Sequence, residues 1–375
     1  MMKTFRFDEI AYNSTQKVKP TEADKEHYIG LEHIDGECLY ISRWGSDVAP
    51  IGEKLVMRKG DILFGKRRAY QRKVAIAPID GIFSAHGLVL RPKEDVVDKD
   101  YFPFFMSSNQ FLDRAVQISV GGLSPTINWK DLARQEFTLP SLSEQKVLAD
   151  KLWAAYRVKE SYKKLLAATD DMLKAKFQEM FGEEGDKYSI KDLFELQMGK
   201  TPDRQNSLYW TQGKHKWFSI ADMSKSEIYS KDTDEYISDL AVEKSGIKKV
   251  KKGTIFMRFK LTIGKVLIAS EDVYTNEAIM AFNERYPYEA ETGLRISKKW
   301  IYYTFLYKDW LENAAQAVKG RTLNKESIGN SNIIVPKYEL QQQFAEIATQ
   351  AEATKESLRK SIENIDQVIK SLINQ

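Results

Sequence analysis

A chain that repeats itself in order has few ways to fold, and this one does. Lys59-Gly60-Asp61-Ile62-Leu63 is echoed by Lys252-Gly253-Thr254-Ile255-Phe256, and Lys73-Val74-Ala75-Ile76-Ala77 by Lys265-Val266-Leu267-Ile268-Ala269. Phe111-Leu112-Asp113-Arg114-Ala115 returns as Trp310-Leu311-Glu312-Asn313-Ala314. Phe137-Thr138-Leu139-Pro140 with Gln145 returns as Ile333-Ile334-Val335-Pro336 with Gln341. The order is kept, and the spacing runs from 192 to 199 residues. The chain is therefore a tandem duplication of a unit far longer than a solenoid repeat.

Each unit has two parts. The first is β-rich, built from short runs such as Asp61–Phe64 and Val74–Ala77, punctuated by Gly and Pro. A short helix follows, over Tyr101–Ala115 and over Lys299–Ala317. The second part is one long helix. In the first unit it starts after Pro140, where Ser141-Leu142-Ser143-Glu144 matches a capping box, and it stops at Gly182. In the second it starts near Glu339, without an equally clear cap, and runs nearly to the last residue.

The last helix carries a heptad seam of Phe344, Ile347, Ala351, Thr354, Leu358, Ser361, Ile365, Val368 and Leu372. The first has a looser stripe of Leu148, Leu152, Ala155, Tyr162, Leu166, Thr169, Leu173 and Met180, broken by Lys159 and Lys176. Such stripes must be covered. The two helices pack on each other, or each folds onto its own β-rich part; the former is the expectation here. A helix of ~39 residues spans roughly 58 Å, enough to hold two domains apart.

Composition bounds the partners. A length of 375 residues with 42 % hydrophobic content suits two or more globular domains. No run of eighteen apolar residues exists, so no membrane span is expected. The first residues lack an apolar signal core and read as mature protein. The single cysteine, Cys38, excludes an internal disulfide and fits a reducing cytoplasm. Net charge is only +4, but it is concentrated. Lys54–Lys73 holds eight basic residues against one acid, Asp61, and Lys244–Lys265 holds eight and no acid. Two such blocks look like two phosphate footprints.

Catalytic motifs are not found. The four histidines, His27, His33, His86 and His215, do not pair at metal-helix spacing. There is no CxxC, no phosphate-binding Gly loop, no Asn/Asp-Pro-Pro-Tyr/Phe amine grip and no nuclease carboxylate–lysine cluster. No catalytic residue and no metal ligand is assigned.

The basic blocks say more. Lys66, Arg67, Arg68, Tyr70, Gln71, Arg72 and Lys73 lie between two predicted strands. Arg can bridge guanine, Gln adenine, and Lys neutralises phosphate. An ordinary solvated turn is the alternative, yet four cations in seven residues repel one another unless an anion relieves them. The matching stretch offers Arg258, Lys260, Thr262 and Lys265. The isolated His86 is a base or phosphate contact, or a satisfied structural histidine. Gly121-Gly122-Leu123-Ser124-Pro125-Thr126 and Lys319-Gly320-Arg321-Thr322 each precede a short helix, where backbone N–H groups suit phosphate; Lys319 and Arg321 add charge to the second.

Several segments together resemble one family. They are Tyr28-Ile29-Gly30-Leu31-Glu32-His33-Ile34, Gly60–Arg68, the Leu139–Gln145 helix entry, Gly199-Lys200-Thr201-Pro202, Tyr209-Trp210 and Trp217–Met223. In this order they resemble the specificity subunits of type I restriction-modification enzymes, over essentially the whole chain. The resemblance implies an α+β fold: two β-rich target-recognition domains joined by two long helices packed as an antiparallel coiled coil, the duplicated halves related by a pseudo-twofold axis. The expected divisions are 1–140, 141–182, 183–338 and 339–375, with Leu148, Leu152, Leu166, Leu173, Ile347, Leu358, Ile365 and Leu372 pairing the helices.

It also implies a non-catalytic subunit of a DNA adenine methyltransferase/endonuclease, in which each domain reads half of a split double-stranded DNA target. The helices would set the gap and dock two methyltransferase subunits that use S-adenosylmethionine; restriction subunits using ATP and Mg²⁺ can join. No cofactor is assigned to this chain. Lys200 and Thr201 enter through this motif, which the first unit lacks, while the second lacks the Lys66–Arg68 cluster. An enzyme with a diverged nuclease or methyltransferase motif, or a scaffold binding DNA without sequence readout, are the alternatives.

Overall fold

The duplication in the sequence is a duplication of sheet topology. The structure is a computed structural model describing residues 2–182, 185–211, 213–260, 263–285, 294–311 and 323–374, with the backbone alone of 316–317 and 320–321. In the first half Ala11–Ser14, Leu88–Pro92, Ile62–Phe64 and Val74–Ile76 form an antiparallel sheet in that order. In the second, Phe194–Met198, Ile279–Glu284, Ile255–Arg258 and Val266–Ile268 form the same order. The registers agree: Ile62 faces Ile76 and Leu90, and Ile255 faces Ile268 and Phe282. A parallel contact also recurs, Tyr28–Ile29 beside Gly81–Phe83 and His215–Phe218 beside Tyr274–Thr275.

Strand periodicity explains why these runs are nearly all apolar. Alternate residues point to opposite faces, and both faces are covered. Ile62 and Phe64 enter one core with Phe7, Phe105, Phe111 and Phe137, while Leu63 enters another with Ile29, Phe83 and Val89. Ile255 and Met257 divide from Phe256 in the same way. The repeated Lys-Gly pair has its reason too. Gly60 and Gly253 stand at φ +92° and +83°, a region that favours glycine, and donate to the carbonyls of Ala77 and Ala269 at 2.9 and 2.7 Å.

The long helices are Leu142–Met180 and Tyr338–Ile373. The expected capping box forms: the N–H of Ser141 donates to Glu144 at 2.9 Å, and the N–H of Glu144 to the Ser141 hydroxyl at 3.4 Å. The repeated glutamine is a buried clamp. Gln145 accepts from the N–H of Asp98 at 2.8 Å and donates to the carbonyls of Val96 and Pro140 at 3.1 and 2.9 Å. Gln341 accepts from Ser297 at 2.7 Å and donates to Arg295 and Pro336 at 3.1 and 2.8 Å. Both amides are fully buried, so each helix start is tied to its own β-rich part by groups that have lost water.

The chain divides into two units, Met1–Leu165 with Ser357–Gln375, and Leu166–Glu356. Within the first, Leu148, Leu152 and Tyr156 share a core with Ile365, Ile369 and Leu372 and with Phe104 of the β-rich part. The Lys159 ammonium pairs with Asp366. Within the second, Lys355 pairs with Asp170, and the ring of Phe177 lies 5.1 Å from that of Phe344. Rising numbers on one helix meet falling numbers on the other, so the pairing is antiparallel. Leu173 and Leu358 are buried, and Leu166 and Ile347 half-buried. Both expected modes of covering therefore occur at once: helix on helix, and helix on β-rich part.

Three expectations are corrected. Val368 is 51 % exposed, and its neighbour Ile369 takes the buried place. Lys159 does not break the stripe; it lies buried within it, neutralised by Asp366. The helix expected over Lys299–Ala317 is Lys298–Tyr307, and Gln316–Ala317 instead pairs with Gly320–Arg321 as a strand. Residues Glu312–Ala314 of the repeat lie outside the described residues.

Candidate nucleic-acid interface

In the first unit the basic loop is shaped by two left-handed residues, Arg68 at φ +57° and Arg72 at φ +52°. They bracket a single helical turn, Ala69–Gln71. The loop is held by backbone bonds: Gly65 donates to Lys73 at 2.9 Å, Arg67 to His86 at 3.2 Å, and Arg68 to Pro125 at 2.7 Å. The Gly121–Thr126 segment is thus brought against the basic loop.

The side chains follow. Arg67 Nη2 and Arg68 Nε both donate to the hydroxyl of Ser124, at 3.3 and 3.2 Å, and Arg67 Nη1 is 3.5 Å from Nε2 of His86. Among the described residues neither guanidinium has a carboxylate partner. The carbonyl of Lys66 accepts from Ile127 at 3.0 Å, while its ammonium makes no hydrogen bond or ion pair with a described residue and lines a pocket of about 220 Å³ with Lys17, Asn13, Ser14, Asn128 and Trp129. Burial first, and Lys17 second, pull its ammonium below the ordinary lysine range. Burial, then Arg67, Lys66 and Lys54, hold the His86 imidazole below its ordinary range. Lys17 is balanced by Glu53 at 3.2 Å, but Lys66, Arg67 and Arg68 have no carboxylate partner among the described residues, an arrangement suited to phosphate and to base-edge acceptors.

The remaining residues of the loop go elsewhere. Arg72 is drawn to Asn109, to Asp113 at 3.5 Å and to Glu37 at 3.7 Å. Lys73 donates to the carbonyl of Leu31 at 2.5 Å. Its repeat counterpart, Lys265, reaches the carbonyl of Glu227 at 3.4 Å. Tyr70 and Gln71 are exposed.

In the second unit Gly199 is forced by space: a Cβ there would meet the carbonyls of Asn276 and Thr275 at 2.1 and 2.3 Å. The turn it permits lets Lys200 donate to the carbonyl of Ser245, and Thr201 to the carboxylate of Glu277. Arg258 donates to Ser224 at 3.3 Å, and the ammonium of Lys260 lies 5.5 Å over the ring of Phe259. Thr262, Lys319 and the side chain of Arg321 lie outside the described residues.

Three residues were not singled out from the sequence. Ser124 joins Arg67 to Arg68, and only the pairing of distant loops shows it. Arg204 stacks 3.8 Å from the Trp210 ring and 4.6 Å from the Trp217 ring while pairing with Glu235. Its place two residues after Pro202, before Tyr209-Trp210, was the available signal. Glu277 collects Thr201, and no sequence pattern marks it. Among the described residues no group of three or more His, Cys, Asp or Glu is placed to hold a metal ion. No helix there is long and apolar enough to cross a membrane.

Comparison with known proteins agrees with this arrangement. The type I restriction modification DNA specificity domain model matches twice, over residues 5–168 and 183–367. The chain is 26 % identical over 183 residues to the type I restriction enzyme MjaIX specificity subunit of Methanocaldococcus jannaschii, covering 48 % of this chain and 40 % of that one. It is 28 % identical over 142 residues to the EcoDI specificity subunit of Escherichia coli, covering 37 % and 31 %. The matched region thus spans less than half the length of these curated relatives.

Two solved structures share the fold. One comes from work on complex assembly and conformational transition of the type I R-M system (TM-score 0.60, 16 % identity, 99 % of this chain and 96 % of that one). The other is the type I restriction-modification system S subunit from M. genitalium (TM-score 0.52, 13 % identity, 100 % and 95 %). With the domain model matched once in each half and covering most of its length, the chain belongs to the family of type I restriction modification DNA specificity domains.

Proposed function

We propose that the chain is the DNA sequence-recognition subunit of a type I restriction-modification complex. Each unit reads one half of a bipartite, asymmetric duplex target. The paired helices set the gap between the halves and dock two copies of an adenine methyltransferase subunit, which supplies S-adenosylmethionine chemistry. Restriction subunits that use ATP and Mg²⁺ join the same complex, and the assembly works in the cytoplasm. The chain itself contributes binding and no bond-making step.

One observation carries this reading: a single frame presents different side chains. Gly65 and Arg258 are equivalent, since each donates its N–H to the repeat lysine, Lys73 or Lys265, at 2.9 Å. Beyond Gly65 the chain continues Lys66-Arg67-Arg68; beyond Arg258 it continues Phe259-Lys260. Identical frames with unlike readers are what an asymmetric target requires.

The test is selection from a pool of random duplexes by the full chain with its methyltransferase. The expected result is a motif of two unlike halves at a fixed gap, with affinity falling steeply as salt rises. Equal affinity for all duplexes contradicts the reading and favours a scaffold. Methylation or cleavage by the chain alone, given metal and S-adenosylmethionine, also contradicts it.

A further inference from the structure

The turn that carries His86 in the first unit is built again in the second with different chemistry. Ser84 donates to the carbonyl of Ile29 at 2.9 Å, and Gly87 to that of Ser84 at 3.0 Å. Asn276 donates to Phe218 at 3.1 Å, and Ile279 to Asn276 at 3.2 Å. The two turns are therefore equivalent, with Ala85-His86 in one and Glu277-Ala278 in the other. Each is also tied to the basic loop of its unit, through Arg67 to His86 at 3.2 Å and through Phe259 to Ala278 at 3.0 Å.

An exposed carboxylate is out of place on a surface that meets phosphate. The stretch Lys244–Lys265 beside it holds no acid at all. Glu277 is nonetheless held in place. Thr201 donates to its Oε2, and Gly199 at the head of that segment leaves no space for another residue. Burial alone would push its carboxyl up, but Thr201 and its own backbone N–H, then Lys260 and Arg204, bring it net below the ordinary range. It is ionised at neutral pH and accepts only. A carboxylate repels phosphate, whereas on a base edge it matches the exocyclic amine of cytosine or adenine.

We infer that Glu277 is a specificity-determining residue of the second unit, accepting a hydrogen bond from a base amino group in the half-site that this unit reads, with Thr201 positioning it. The inference rests on the recognition function proposed above and adds to it the chemistry of one base contact.

The experiment compares the wild-type chain with Glu277→Ala and Thr201→Val, each assembled with the methyltransferase, by selection from random duplexes and by affinity for single-base variants of the selected site. Alanine already occupies the equivalent place in the first unit, so that substitution keeps the turn. Wild type is expected to demand cytosine or adenine at one position of one half, and the selected base tells which amine is bound. Glu277→Ala relaxes that position alone, losing about ten-fold in affinity for the selected site and little for unrelated duplexes. Thr201→Val relaxes the same position more weakly. An unchanged motif, or a uniform loss across all duplexes, overturns the inference while leaving two-part recognition standing. A wild-type chain that selects no motif overturns the recognition reading itself.

Discussion

Nη1 of Arg67 lies 3.5 Å from Nε2 of His86, and Nη2 of the same guanidinium reaches the hydroxyl of Ser124 at 3.3 Å. One arginine therefore joins three separate parts of the sequence: the basic loop, the turn after Gly81–Phe83, and the Gly121–Thr126 segment. Changing Lys66, Arg67 and Arg68 together to Ala is expected to abolish recognition of one half-site and leave the other intact. The slope of log affinity against log salt should fall by about three. Binding measured over a salt series checks both, and unchanged selectivity would refute the assignment.

Gln145 and Gln341 do the same structural work. Replacing Gln341 with Leu leaves the buried N–H of Ser297 and the carbonyl of Pro336 without that partner. At about 1–3 kcal/mol for each unsatisfied buried group, the expected loss for the two is about 2 kcal/mol or more. Urea unfolding measures it; a loss under about 1 kcal/mol would mean the amide is replaceable by apolar packing.

The helix start at Ser141 carries a pH signature. The Ser141 hydroxyl, then its N–H, hold the Glu144 carboxyl down to about 2. A folded value below the ordinary ~4.3 means the cap stabilises above that value and is lost as pH falls toward 2. Acid titration followed by circular dichroism should show Glu144→Gln less stable at neutral pH, with the gap to wild type closing below about pH 4. A constant gap would contradict the cap.

How much of this was legible in the chain depends on which interactions are local. The paired strands were, because β-branched runs and positive-φ glycines such as Gly60 and Gly253 leave the same trace twice. The Ser141 cap was, since its partner is three residues away. Lys73 and Lys265 looked like phosphate ligands, yet each reaches a carbonyl of its own unit, and alternation along a strand does not say where a long side chain ends. Val368 and Ile369 are adjacent apolar residues that fit a heptad equally well. The choice is made by the core containing Phe104 and Tyr156, which is distant in sequence. Lys159 read as a break because its partner, Asp366, lies on the other helix.

The gap function gives a geometric expectation. One heptad added to each long helix lengthens the pair by about 10 Å, equivalent to about three base pairs of duplex. The selected target should keep both halves and widen its gap accordingly. An unchanged gap would refute the helices as the spacer.

Methylation profiling of a host expressing this chain with its methyltransferase tests two-part recognition most directly. The account predicts one methylated motif of two unlike halves at a fixed gap, and loss of the requirement for one half alone when Lys66, Arg67 and Arg68 are Ala. A single uninterrupted motif, or a split motif unaffected by the triple substitution, would contradict it.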